Sequence, residues 1–225
     1  MAPLASGSLA DWTTISSLAT AGGTLVLALA TFSSVRSANR AARVAERSLL
    51  AGLTPVLVPA RMNDPPQKIN WVDEHWTRLE GGIAAAETVG DVIYLAIPLR
   101  NVGSGLAVLQ AWRPEADFDP ARARARPEME QFRQQSRDIY VPPGDASFWQ
   151  GAFREVDDPM YESIRETVAA RRRFMIDLCY SDHEGGQRTI TRFRLSPIGD
   201  DDRWLPTVAR HWTIDVPDPR GGDGR

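Results

Sequence analysis

The chain has 225 residues carrying 26 basic and 29 acidic side chains, a net charge of −3. That balance gives the whole molecule no electrostatic bias toward nucleic acid, and the length suits one domain plus an anchor rather than two full domains. Lys68 is the only lysine, so the positive charge is almost wholly arginine, spread along the chain as a GC-rich coding bias would leave it; Cys179 stands alone, which excludes an intrachain disulfide.

Residues 1–12 form a short tail without Lys or Arg. From Thr13 to Val35 there is no charged residue, between Asp11 and Arg36. As a helix this run spans roughly 34 Å, against a hydrocarbon core of about 30 Å, which predicts a transmembrane helix over 13–35. Leu25, Val26, Leu27, Leu29 and Phe32 are its greasiest positions, and Trp12 stands where an interfacial aromatic belongs. A cleaved signal peptide would want a basic n-region, which residues 1–12 lack. A buried core helix rarely runs this long without a polar face.

Residues 36–52 continue as a basic juxtamembrane helix rich in Ala, Arg and Leu, with Gly52 and Pro55 as its stop. Arg36, Arg40, Arg43 and Arg47 form one stripe. The positive-inside rule then places the C-terminal domain in the cytoplasm, and the same stripe suits contact with anionic lipid. Val35, Ala38, Ala42, Ala45 and Leu49 form a second stripe at heptad spacing, and Ser16, Thr20, Thr24 and Ala28 repeat every four residues. These predict a homo-oligomer through the helix, with alanine-rich composition as the competing reading.

After Pro55 the pattern shifts to short β-prone runs between turn signals, predicting a β-sandwich domain over 53–216. Strands are expected at Pro55–Pro59, Asp91–Val102, Leu106–Trp112, Ile139–Val141 and Ala146–Phe153. A late hairpin pairs Arg173–Tyr180 with Gln187–Leu195 around His183-Glu184-Gly185-Gly186. Phe174, Ile176, Leu178 and Tyr180 lie on one of its faces, and Asp177, Cys179 and Ser181 on the other. Trp212–Val216 closes the sheet. One helix is expected over Met160–Ala170, with Asp158 as cap and Pro159 at the first position. Asn63–Gly90 reads as a long hairpin or a loop, Pro114–Arg137 as a solvated insertion with a short helix, and 217–225 as a disordered tail.

Leu99-Arg100-Asn101-Val102-Gly103-Ser104-Gly105-Leu106-Ala107 resembles the Leu-x-Asn-x-Gly-x-Gly-x-Ala strand-turn of bacterial immunoglobulin-like sandwich domains. Its pairing with the later Tyr180, Asp182 and Gly185 hairpin is similar to uncharacterised bacterial single-pass membrane-anchored proteins. The likeness covers short islands within residues 90–195. It implies an immunoglobulin-like β-sandwich on an anchor and leaves activity open.

The chain has no P-loop, GxGxxG fingerprint, HExxH helix, paired CxxC groups or GxSxG elbow, so neither a catalytic residue, a cofactor nor a metal is assigned. Ser104 reads as a turn serine. Asp182-His183-Glu184 reads as a solvated turn and Asp200-Asp201-Asp202 as a solvated loop. His75 and His211 have no neighbour at ligand spacing, and Cys179 reads as an inert thiol. The expected function is a membrane-tethered interaction module, with the lipid bilayer and an unidentified protein as partners and no nucleic acid. Two other classes stay open: a membrane-bound enzyme with a site dispersed over loops, and a structural subunit of a larger membrane assembly. A deep pocket gathering Asp182, His183 and a distant acid would favour the enzyme.

Overall fold

The computed structural model describes residues 7–116, 124–199 and 201–216. The chain divides into two compact units, one ending at Leu49 and one beginning at Leu50. The described residues of the first are all helical: helix α1 runs from Gly7 to Leu53, its last four residues belonging to the second unit, and so enters the stretch expected as a tail. No break separates the predicted transmembrane and juxtamembrane parts, because neither glycine nor proline interrupts the Ala-, Leu- and Arg-rich stretch before Gly52 strongly enough to end it.

The second unit is mainly β. Its strands are β1 (Leu57–Pro59), β2 (Gln67–Asn70), β3 (Trp76–Leu79), β4 (Ala84–Val89), β5 (Val92–Asn101), β6 (Ala107–Glu115), β7 (Arg133–Val141), β8 (Ala146–Phe153), β9 (Phe174–Ser181), β10 (Thr189–Pro197) and β11 (Arg203–Thr213). Nine of them form one antiparallel sheet in the order β1-β5-β4-β11-β10-β9-β6-β7, with β8 on the other edge of β5. The sheet curls until β7 and β8 meet. There Gln135 replaces the ladder, donating to the Gln150 carbonyl (3.0 Å) and accepting from Trp149 Nε1 (3.0 Å).

Curling wraps the sheet around one core. Leu95, Ile97, Trp149, Phe153, Phe174, Ile176, Leu178, Tyr180, Phe193 and Trp204 fill it, and helix α2 (Tyr161–Ala169) adds Tyr161, Ile164 and Val168. The alternation predicted for β9 is what places Phe174, Ile176, Leu178 and Tyr180 inside. α2 starts later than expected because residues 158–160 make a turn first: Asp158 accepts from the Met160 amide with its carboxylate (2.8 Å) and from Tyr161 with its carbonyl (2.9 Å).

The outer faces are covered too. Over β4, β5 and β8 lies the β2–β3 hairpin, whose Ile69, Trp71 and Leu79 pack on Ala85, Tyr94 and Ala96. This hairpin and β4 occupy the Asn63–Gly90 stretch. Over β6, β9, β10 and β11, Met129 of a short 3-10 turn, Met129–Gln131, and Phe132 just after it pack on Ala111, Cys179, Ile190 and Trp212. The expected solvated insertion therefore contributes apolar cover.

Further strand boundaries move: β7 begins at Arg133 rather than Ile139, inside the expected insertion. The closing strand is Arg203–Thr213, not Trp212–Val216; Pro206 masks it in sequence, and a bulge between Arg192 and Phe193 lets it follow β10. β10 itself starts at Thr189, since Gln187 takes a positive φ of 50° in the turn. The tail from Pro217, residues 117–123 of the expected insertion and Asp200 lie outside the described residues.

The Asn101 turn is a socket for the chain leaving α1. Asn101 is fully buried and uses all its amide atoms. Nδ2 donates to the carbonyls of Gly105 (2.7 Å) and Val141 (2.9 Å), while Oδ1 accepts from the amides of Val56 (3.1 Å) and Gly103 (2.9 Å). A methyl at Gly103 would overlap the backbone of Thr54 and Val56, and one at Gly105 would overlap the Leu53 carbonyl. Both glycines are thus needed for close backbone approach, beyond any turn geometry. Tyr180 Oη accepts from the Leu57 amide one step further on (3.1 Å).

Candidate functional site

α1 is the first candidate. Its stretch Thr14–Leu49 is long and apolar enough to cross a membrane, and every described side chain in that stretch is exposed. Trp12, Leu25, Val26, Leu27, Leu29 and Phe32 are each more than 60 % exposed within the chain, an arrangement that would leave an apolar surface uncovered in water. Several hydroxyls on this helix are satisfied internally. Thr20 donates to the Ser16 carbonyl, Thr24 to that of Thr20 and Thr31 to that of Leu27, each at 2.8 Å. Such back-bonding lets Ser and Thr sit in an apolar medium without a partner helix.

At about 100° per residue, Arg36, Arg40, Arg43 and Arg47 fall within about 60° of arc. Val35, Ala38, Ala42, Ala45 and Leu49 lie roughly on the opposite side, so a helix pairing through the seam would leave the arginines free. Glu46 is the sole acidic residue between Thr14 and Leu53.

In the β unit, one titratable cluster lies beneath the β2–β3 hairpin, and no pattern in the sequence points to it. His75 Nε2 is 2.9 Å from Glu87 Oε1, which also accepts from Thr77 Oγ1. The His75 ring stacks on Tyr94 with centroids 4.0 Å apart, and Trp71 closes the third side. Tyr94 donates to Asp73 (2.7 Å), and Arg154 reaches the same carboxylate oxygen (3.2 Å). Burial opposes ionisation of Asp73, but the hydrogen bonds from Tyr94 and its own backbone and the Arg154 charge outweigh it, so its carboxyl titrates below the usual range. Burial, helped by Asp73, pushes Tyr94 up to about 12. These groups pin the hairpin to the sheet. A two-stranded hairpin is marginal alone, and here each polar group is paired to another that holds it down.

The second cluster is a charged row across the opposite outer face. Asp177, fully buried, accepts from Arg192 Nε (2.6 Å) and Nη2 (2.8 Å) on β10 and from Arg113 Nη1 (2.9 Å) on β6; Arg113 also pairs with Glu115. Asp177 is the direct cross-strand partner of both arginines. The Arg192 guanidinium lies 5.0 Å over Trp212. Arg113, Glu115, Arg126, Glu128 and Arg192 line a cavity of about 280 Å³ beside it, three arginines against two glutamates, with Asp177 bonded to two of those arginines.

The other sequence candidates are dispersed. Asp182 is buried and accepts from the amides of Glu184 (3.0 Å) and Gly186 (2.8 Å), so it holds the hairpin turn. His183 and Glu184 point outward with side chains 50 % and 71 % exposed, away from any shared pocket with a distant acid. Burial pushes the Cys179 thiol up to about 11, with Asp215 adding and Arg188 opposing, which makes it a poor nucleophile. His211 Nδ1 bonds Thr191 Oγ1 (2.7 Å), which meets Tyr180 Oη (2.9 Å). Among the described residues, no three His, Cys, Asp or Glu side chains could hold a metal ion.

No family model matches the chain, and no curated protein matches it. Among solved structures, a protein from Archaeoglobus fulgidus known by its crystal structure aligns at 14 % identity and a TM-score of 0.24. The alignment covers 60 % of this chain and 96 % of that one. Similarity at that level carries no argument about fold or activity. What the chain itself establishes is a mainly β domain joined to one long, exposed, apolar helix.

Proposed function

We propose that the chain is a membrane-tethered interaction module: α1 crosses the bilayer once and holds the β domain on the cytoplasmic face, where it engages a protein partner. The observation that carries this reading is the wholly exposed, uncharged face of α1, followed by four arginines on one side only. Hydrocarbon would cover the apolar part, and the arginine asymmetry would set the orientation. The β domain supports a binding role over a catalytic one, since the titratable groups of its two clusters are engaged with one another and hold strands together. The immunoglobulin-like character of the domain belongs to this proposal and rests on the Asn101 strand-turn and the curled antiparallel sheet.

Self-association through Val35, Ala38, Ala42, Ala45 and Leu49 is part of the same reading. The subunit mass of the full chain released from nanodiscs decides it, and a single chain rules the seam out. Orientation is tested by a reporter active only outside the cytoplasm, fused after Arg225. It is expected to stay silent while the fusion is made in full. An active reporter would reverse the topology and put the partner outside the cell.

A further inference from the structure

We infer that the start of the basic segment of α1 is a binding site for the phosphate of an anionic phospholipid, which rests on the reading of α1 as a membrane span. Phe32, Val35, Arg36, Asn39, Arg40 and Arg43 line a depression of about 390 Å³ along the helix. The depression straddles the boundary between the uncharged run and the arginines, the level at which a lipid changes from acyl chain to headgroup. Phe32 and Val35, both exposed, give it an apolar edge on the membrane side.

Arg36, Arg40 and Arg43 supply three guanidiniums from successive turns, and Asn39 a neutral amide between them. Among the described residues no carboxylate lies within ion-pair distance of these arginines, so no described side chain offsets their charge. A guanidinium meets a phosphate oxygen pair with two parallel N–H donors, and the match is stronger where water is scarce. Free inorganic phosphate would bring charge but nothing for Phe32 and Val35. A phospholipid brings both, and its anionic headgroup carries the net charge that a zwitterionic one lacks. Arg47 lies on the same arc one turn further on and does not line the depression, so position can be separated from charge.

The test uses the full chain in nanodiscs of phosphatidylcholine containing a minority of phosphatidylglycerol. Native mass spectrometry then counts the phosphatidylglycerol that stays on the protein. Wild type is expected to retain phosphatidylglycerol in preference to phosphatidylcholine, and Arg40→Gln to lower that retention about fivefold. Arg47→Gln removes the same charge outside the depression and is expected to stay near wild type. Equal losses in the two variants would reduce the site to diffuse attraction and overturn it, as would wild type with no preference. A chain that an alkaline wash strips from membranes removes the anchor and this site together; a chain that resists the wash but shows no preference removes the site alone.

Discussion

Asn101→Leu is expected to unfold the β domain at ambient temperature or bring it to the edge of unfolding. The substitution leaves two buried carbonyls and two amides without the partner they now share. Each unpaired buried group costs about 1–3 kcal/mol, so the sum is on the order of 4 kcal/mol or more, against a total stability of about 5–15 kcal/mol. Gly105→Ala should be similarly severe, because its methyl meets the Leu53 carbonyl and the chain there is held on both sides. Gly90→Ala is the contrast. That glycine, unlike Gly105, has a positive φ, of 60°, but nothing lies within 4 Å of an added methyl, so only the backbone penalty of about 1 kcal/mol applies. Thermal unfolding of the full chain in detergent, followed by tryptophan fluorescence, reads all three. Equal, mild losses would mean that Asn101 and Gly105 shape a turn and do not seat the chain leaving α1.

Asp177→Leu is expected to destabilise the domain by about 3–5 kcal/mol, the usual effect of removing one partner from a buried ion pair. The aspartate faces Arg192, itself 2 % exposed, and Arg113. Without it, two guanidiniums remain in a setting with too few acceptors. The double variant Asp177→Leu, Arg192→Met should recover much of that loss, since an apolar pair of similar volume often replaces a buried ion pair at little cost, and Arg113 keeps Glu115. Denaturant unfolding of the three proteins compares them directly. If the double variant is as unstable as the single one, the charged row does more than fill the outer face.

Much of the architecture can be read from residue patterns. The long apolar helix is legible in the uncharged run Thr13–Val35, because length and lack of charge are both local properties of the sequence. Phe174, Ile176, Leu178 and Tyr180 show the inner face of β9 because alternation is a local property. The Asn101-Val102-Gly103-Ser104-Gly105 turn is also legible, yet its purpose is not, for the atoms it seats lie at Leu53–Val56, far back in sequence. Asp177 and Arg192 are equally hidden as a pair. Each sits on an outward position, and only the register of β9 against β10 makes them neighbours. His75 shows no partner in sequence because β3 and β4, which bring Glu87 to it, lie in a polar stretch with two tryptophans and weak alternation. β11 is masked by Pro206 at a position where a ladder strand is not expected.

Anchor, orientation and lipid site all depend on whether α1 is embedded in a bilayer. The direct measurement is fractionation of cells making the full chain, with the membranes washed at alkaline pH to release peripheral proteins. Integral insertion predicts that the chain stays in the washed membrane pellet. Leu27→Arg paired with Leu29→Arg, which sets two charges in the middle of the span at about 3 kcal/mol each, should shift it to the supernatant. Recovery of the unaltered chain in the supernatant would contradict a membrane span and leave the apolar face of α1 to be covered by protein.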